Sequence, residues 1–261
     1  MIARHDLDAR RSLGQHFLLD GNLTARIVRQ AGDLAGRHVV EVGPGPGGLT
    51  RALLAREAAT VTAVELDPRA VAAMRELAEV APRLSVVAGD ALAIDLAARV
   101  PTPRQIVATL PYTVASPLLV GWLRQAAQWQ RLTLMFQQEV AERICAAPGA
   151  AAYGRLGVLA QWVARAELRL RLPPAAFVPP PSVWSAVVVL TPHPVQPEAT
   201  LFAAMERLTA AAFGQRRKML RGALRSLGGH DLLVAAGIDP SRRAETLDIA
   251  AFDRLARLLA G

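Results

Sequence analysis

The sequence predicts a doubly wound α/β sheet of seven strands followed by a small α-helical domain. Three observations carry this reading. Short β-branched runs alternate with amphipathic stretches through residue 190, a glycine-rich loop follows the first of those runs, and strand patterns stop after a proline-rich segment at 191–197.

The strand candidates are 38–42, 61–65, 84–88, 105–109, 132–137, 166–172 and 184–190. Helical periodicity fills the gaps at 47–57, 68–79, 116–127, 138–146 and 155–165. Helices between successive strands imply parallel pairing through right-handed crossovers. The last two strands are joined by the loop Pro173–Ser182 instead, which suggests a hairpin and an antiparallel edge strand. Thr191-Pro-His-Pro-Val-Gln-Pro197 reads as a linker. Beyond it, 199–213, 216–226, 230–236 and 248–259 read as helices, broken at Gly228-Gly229 and Asp239-Pro240.

Composition bounds the function. The 261 residues suffice for one large core plus an accessory domain, and 52% apolar with 20% charged residues is a globular balance. No apolar run approaches the ~20 residues that span a bilayer, and the N-terminus lacks an apolar signal region. A single cysteine, Cys145, leaves no disulfide framework and no thiolate metal cluster. A soluble, cytoplasmic protein without membrane contact is expected. Net charge is +8, and 29 of the 30 basic residues are arginine, Lys218 being the exception. Guanidinium groups grip phosphates bidentately and stack on bases, so the excess favours a polyanionic partner.

The loop Val39-Val-Glu-Val-Gly43-Pro-Gly45-Pro-Gly47-Gly48 runs from a buried strand into a helix start. Glycines there let the backbone turn sharply and approach a ligand closely. Gly43, Gly45 and Gly48 also satisfy G-x-G-x-x-G, so the loop by itself suits a nicotinamide dinucleotide as well as S-adenosylmethionine. Glu65, 22 residues beyond Gly43, ends the second strand, where a carboxylate accepts ribose hydroxyls of either cofactor. Asp90 ends the third strand, where a carboxylate accepts a hydrogen bond from an adenine amine, with Leu66 available to pack on the ring. A capping role for Asp90 competes with that reading.

The fourth strand ends in Thr109-Leu-Pro-Tyr112, at the carboxyl end of a central strand, where ligand crevices form. This segment resembles the Asn-Leu/Ile-Pro-Tyr signature of RNA adenine-N6 methyltransferases. Arg11-Ser-Leu-Gly-Gln15-His16-Phe17-Leu18 is similar to a signature of the ribosomal RNA adenine dimethyltransferases. Gln137-Gln-Glu139-Val-Ala-Glu-Arg143, Tyr153-Gly-Arg155, Phe177-Val-Pro-Pro-Pro-Ser-Val183, Phe213-Gly-Gln-Arg216-Arg217-Lys218-Met-Leu-Arg221 and Arg243-Ala-Glu-Thr-Leu247 extend the likeness over nearly the whole chain.

The resemblance implies a Rossmann-like methyltransferase domain over residues 1–191, a helical RNA-binding domain over 198–261, and S-adenosylmethionine as cofactor. It implies methylation of two adjacent adenosines near the 3′ end of small-subunit ribosomal RNA, within an immature 30S subunit, by a monomeric enzyme contributing to ribosome maturation. Thr109 and the Leu110 carbonyl would hold the target amine, Tyr112 would stack on the extruded base, and Phe177 would be a second stacking residue. His16 and Leu18 would cover the cofactor alongside Gly43, Gly45, Glu65, Leu66, Asp90 and Thr109. Arg216, Arg217, Lys218 and Arg221 would meet RNA phosphates, although their spacing keeps them from sharing one helix face. Glu41 stands where such methyltransferases carry an acidic residue at the strand end.

The chain departs from the family at informative positions. Thr109 replaces the signature Asn, Thr113 a second Asn, Gln138 a common lysine, and Trp184 a usual aspartate. A threonine hydroxyl keeps two acceptor lone pairs but reaches less far than an amide. Thr109 therefore keeps open a ribosome-assembly factor that binds cofactor without efficient catalysis. The antibiotic-resistance type of large-subunit RNA methyltransferase is the other alternative, and Leu110-Pro-Tyr112, Pro179–Pro181 and 243–247 favour the small-subunit enzyme.

Overall fold

The computed structural model describes His5, Leu7, residues 15–215 and residues 217–261. Its main sheet contains β2 (His38–Val42), β3 (Thr60–Glu65), β4 (Leu84–Ala88), β5 (Arg104–Thr109), β6 (Arg131–Gln137), β7 (Ala164–Leu172) and β9 (Ser185–Pro192). The spatial order is β4-β3-β2-β5-β6-β9-β7. β4, β3, β2, β5 and β6 pair in parallel, while β9 runs antiparallel to β6, with Leu132 opposite Leu190 and Gln137 opposite Ser185. The last strand therefore inserts between β6 and β7, which takes the edge. Because β2, β3 and β4 step one way and β5 and β6 the other, the order reverses between β2 and β5. Crevices in open α/β sheets form at the carboxyl ends of the strands flanking such a reversal.

Helices α2 (Gly48–Leu54), α3 (Pro68–Val80) and α5 (Tyr112–Arg124) begin directly beyond those carboxyl ends. α5 starts four residues before the periodicity predicts, so Tyr112 sits in its first turn. Asp67 caps α3 by accepting from the Arg69 N–H at 3.0 Å. The parallel strands read Val-Val-Glu-Val and Ile-Val-Ala because helices cover both faces, and Val39, Val40, Ile106, Val107 and Ala108 are all fully buried.

Several elements were not expected from the sequence, among them the short helix α4 (Leu96–Arg99). Helix α1 (Gly21–Gln30) is capped by Asp20, whose carboxylate accepts from the Asn22 and Leu23 N–H groups. A separate two-stranded sheet joins β1 (Phe17–Leu18) to β8 (Phe177–Val178), with Leu18 opposite Phe177. It ties the amino-terminal segment to the proline-rich loop.

The chain divides into two compact units, one of residues 1–141 and 167–192, the other of 142–166 and 193–261. The sequence division assigned 142–166 to the sheet domain. Within the second unit, however, α7 (Arg155–Val163) packs on α8 (Ala199–Gly214) and α11 (Ile249–Ala260). The Trp162 ring lies 5.7 Å from that of Phe202, and its indole N–H donates to Asp253 at 2.9 Å.

The helix expected over 216–226 is also corrected. Arg216 lies outside the described residues, Arg217 and Lys218 sit in a turn, and only α9 (Leu220–Ala223) is helical before a 3₁₀ turn at Arg225–Leu227. The cause lies further along the chain: the Leu220 and Arg221 N–H groups donate to the carbonyls of Arg242 and Pro240 instead of to a preceding turn. α10 (Gly229–Ala235) follows, and a 3₁₀ turn over Ala244–Thr246 precedes α11. No helix among the described residues is long and apolar enough to cross a membrane.

Candidate active site

A crevice opens at the carboxyl ends of β2 and β5. It is lined by His16, Leu18, Gly43, Gly45, Glu65, Leu66, Asp90, Thr109, Leu110 and Tyr112, among others. These are the residues singled out in the sequence for cofactor and target, apart from Phe177.

The loop from β2 to α2 passes close to its surroundings. Gly45 has φ +52°, and a Cβ there would fall 3.1 Å from the Phe17 ring. At Gly48 the constraint is proximity, since a Cβ would meet the Leu18 carbonyl oxygen at 2.5 Å. The Gly45 N–H donates to Glu65 Oε2 at 3.2 Å, while Glu65 Oε1 accepts from the N–H groups of Leu66 and Asp67, both at 2.8 Å. One carboxylate thus binds the glycine loop to the turn after β3. Burial pushes the Glu65 pKa upward against the pull of these three backbone donors.

Next to it, Leu66 is 58% exposed, an apolar surface facing the crevice. Asp90 uses Oδ1 to accept from the Leu92 N–H at 2.9 Å, and Oδ2 has no partner among the described residues. The capping and ligand readings of Asp90 are compatible, one oxygen for each. Gln15 also lines the crevice and donates to Asp67 at 3.2 Å. Its place two residues before Phe17, in the same quoted motif, was the signal available for it.

On the opposite wall Thr109 ends β5, Leu110 is buried, and Tyr112 opens α5. The Tyr112 hydroxyl shares a 2.6 Å hydrogen bond with the Ser185 hydroxyl at the start of β9. The His16 ring stacks on that of Tyr112, with centroids 5.8 Å apart and planes at 30°. His16 is held in turn by Nδ1, which donates to the Pro179 carbonyl at 2.9 Å. Burial raises the Tyr112 pKa, partly offset by Ser185, so the phenol stays neutral under ordinary conditions. Ser185 was not anticipated. It is fully buried and heads the apolar run Ala186–Leu190, but nothing in that run marks its partner.

Phe177 is corrected. It is 1% exposed and packed among Leu18, Leu172 and Ala176, not on the crevice wall. Pairing of β8 with β1 points this ring into the core, where burying a phenylalanine contributes ~2 kcal/mol or more.

Behind the glycine loop, Glu41 is 1% exposed on the central strand, and neither carboxyl oxygen has a hydrogen-bond partner among the described residues. Its pKa is pushed up to about 8, first by burial and further by Glu65, with nearby Thr50 easing the rise without satisfying the group.

In the second unit, Arg217, Lys218 and Arg221 are all exposed around α9. Arg221 feels the Asp239 carboxylate, which the Ser241 N–H and hydroxyl hold at depressed pKa.

Residues 6–261 match the family model described as ribosomal RNA adenine dimethylase. The chain is 64% identical over 258 residues to ribosomal RNA small subunit methyltransferase A of Gluconobacter oxydans (strain 621H), covering 98% of this chain and 85% of that one. It is 56% identical over 266 residues to the protein of the same name from Paracoccus denitrificans (strain Pd 1222), covering 100% and 94%. Among solved structures, a dimethyladenosine transferase from Plasmodium falciparum superposes with a TM-score of 0.76 at 24% identity, covering 92% of this chain and 96% of that one. The 23S rRNA methyltransferase ErmE gives 0.69 at 26% identity, covering 93% and 99%.

Proposed function

The chain belongs to the ribosomal RNA adenine dimethylase family, and from that premise we propose that it methylates the N6 amine of two adjacent adenosines in small-subunit ribosomal RNA, drawing on S-adenosylmethionine. The observation that carries this reading is the crevice itself, where the loop Gly43–Gly48, Glu65 and Asp90 face Thr109–Tyr112 at the reversal of strand order. Relatives at 52% identity and above bear the small-subunit name, whereas the large-subunit enzyme stands at 26%.

The residues present suit the cofactor. Gly45 and Gly48 let the loop pass against Phe17 and Leu18, where a side chain would collide, Glu65 offers carboxylate oxygens for ribose hydroxyls, Asp90 has an open oxygen for an adenine amine, and Leu66 offers an exposed apolar face. His16 and Leu18 line the same space. When bound, S-adenosylmethionine would supply an electrophilic methyl group on its sulfonium sulfur.

The residues of this chain do the positioning. The lone pair of an adenine amine is delocalised into the ring, so it attacks poorly until the nitrogen turns sp³-like. The Thr109 hydroxyl and Leu110 carbonyl accept from the amine N–H groups and favour that geometry as positive charge develops. Tyr112, fixed by Ser185 and His16, presents a face on which the extruded base stacks. Holding amine and methyl in line accounts for much of the acceleration.

Labelled methyl transfer to undermethylated small subunits tests the proposal, with dimethyladenosine expected in digested RNA by mass spectrometry. Cofactor binding without transfer favours the assembly-factor reading, and Thr109→Asn then restores activity if that residue is the cause. One aligned acceptor is worth up to ~10² to 10³ in rate, so in an active enzyme Thr109→Asn raises kcat or the fraction of doubly methylated product.

A further inference from the structure

Segment 178–184, between β8 and β9, is fastened at both ends to the crevice. At one end the Pro179 carbonyl accepts from His16, whose ring stacks on Tyr112; at the other, Ser185 bonds the Tyr112 hydroxyl. Between these anchors the segment turns three apolar side chains to solvent: Val178, Val183 and Trp184, the last 48% exposed. The Trp184 carbonyl accepts from the Gln138 N–H at 2.8 Å, so the backbone carrying the indole is fixed. Consecutive Cα atoms are ~3.8 Å apart, which puts Trp184 immediately beside the residue that orients Tyr112.

Nothing in the fold accounts for an indole here. Of the four tryptophans, Trp122 and Trp129 are buried and Trp162 is half-buried with its N–H bonded to Asp253. Trp184 alone among them is exposed, and its N–H has no partner among the described residues. A half-exposed aromatic on a fixed backbone, one residue before the Ser185 that bonds the crevice residue Tyr112, is a stacking platform for a planar ligand.

We propose that Trp184 stacks on the base of a nucleotide flanking the target adenosine. The inference rests on the RNA-methylation reading. Extruding one base into the crevice unstacks its neighbour, and the indole replaces the lost face. Contact of this kind steadies the strand while leaving the transfer step to Thr109, Leu110 and Tyr112. A nucleobase suits this platform better than an apolar protein surface does, because Trp184 directly precedes the residue that bonds Tyr112 of the crevice wall and the chain carries a net charge of +8.

An RNA hairpin with two adjacent adenosines in its loop is the probe. Titrating it into wild-type protein quenches tryptophan fluorescence, and in Trp184→Phe that quench disappears while binding persists. Stacking by one aromatic is worth ~1 to 3 kcal/mol, so Trp184→Ala raises KM for RNA about 5- to 100-fold. Its kcat at saturation stays unchanged, and Trp184→Phe retains most of the affinity. Saturation of wild-type protein without quenching, with binding verified by anisotropy of labelled hairpin, overturns the inference even if methyl transfer is normal. So does a Trp184→Ala variant that folds and keeps wild-type KM. Indole burial that tracks protein concentration in sedimentation, without RNA, overturns it in favour of self-association. Failure of the wild-type chain either to bind RNA or to methylate subunits brings down the underlying reading as well, a result separable from the others.

Discussion

Tyr112 and Ser185 lie 73 residues apart in sequence and share a 2.6 Å hydrogen bond that crosses from the first turn of α5 to the first residue of β9. The ring is therefore held from two directions, by Ser185 at its hydroxyl and by the stacked His16 on its face. A tyrosine that receives a base by stacking gains from such fixation, since the base meets a surface already oriented. Burial of part of the ring raises its pKa, so the phenol is neutral, which excludes a role as a charged group.

Ser185→Ala removes the hydroxyl and leaves the half-buried Tyr112 hydroxyl without its partner. A neutral hydrogen bond contributes ~0.5 to 1.5 kcal/mol, so kcat falls roughly 2- to 12-fold. Cofactor affinity is unaffected, because Ser185 does not line the cofactor side of the crevice. Steady-state methyl transfer, with cofactor binding measured by calorimetry, separates the two quantities. Ser185→Thr restores kcat if the β-methyl is accommodated in the buried position. Equal loss in Ser185→Ala of cofactor affinity and kcat would mean that the substitution had disturbed the whole site.

Glu41 gives the chain a pH-dependent stability of predictable sign. Its pKa rises from 4.5 to about 8 in the folded protein, so between those values the native state holds a proton that the unfolded chain releases. Stability from this group is fully present below about pH 4.5 and is lost as pH rises through 8. Glu41→Gln keeps the shape and stays neutral throughout. Thermal unfolding near pH 4 is then little changed, whereas near pH 9 the variant melts higher than the wild type. Parallel curves at both pH values would show that Glu41 is ionised in the native state.

Most of the main sheet was readable because parallel, doubly covered strands are short, nearly continuous apolar runs between helical repeats. His38–Val42 and Leu84–Ala88 match their predicted limits for that reason. The order in which β9 inserts between β6 and β7 was not readable, since a hairpin reading specifies a neighbour but not which side of it is taken. Helix α1 was missed because its start depends on Asp20 accepting from two N–H groups, a weaker signal than the strand runs around it.

That one crevice gathers the glycine loop, Glu65 and Asp90 was legible from spacing, because each ends or follows a strand and topology gathers strand ends. Phe177 was misread because a two-residue pairing with Phe17–Leu18 has no periodicity to detect. The same pairing fixes the loop bearing Pro179 and hence His16. Ser185 escaped notice for a related reason, since contacts across 73 residues leave no local pattern. The basic stretch was identified correctly as charged but not as non-helical, because its backbone donors go to Pro240 and Arg242, far along the chain.

That irregular geometry shapes the last prediction. Arg217 and Lys218 lie in a turn and Arg221 on a four-residue helix, all exposed, so their charges are spread over a surface instead of aligned on one helix face. Each lysine or arginine that meets a phosphate releases counterions and adds ~0.7 to 0.9 to the slope of log affinity against log salt. The double substitution Arg217→Ala, Lys218→Ala should therefore weaken RNA binding at low salt and reduce that slope by ~1.4 to 1.8. Filter binding across a salt series reads both effects, and melting temperature serves as the folding control because exposed surface changes cost little. Cofactor affinity stays at the wild-type value, since neither residue lines the crevice. A weakened affinity with the wild-type slope would mean that the loss came from altered local structure and not from phosphate contacts. An unchanged affinity and slope would put the RNA-binding surface elsewhere on the chain.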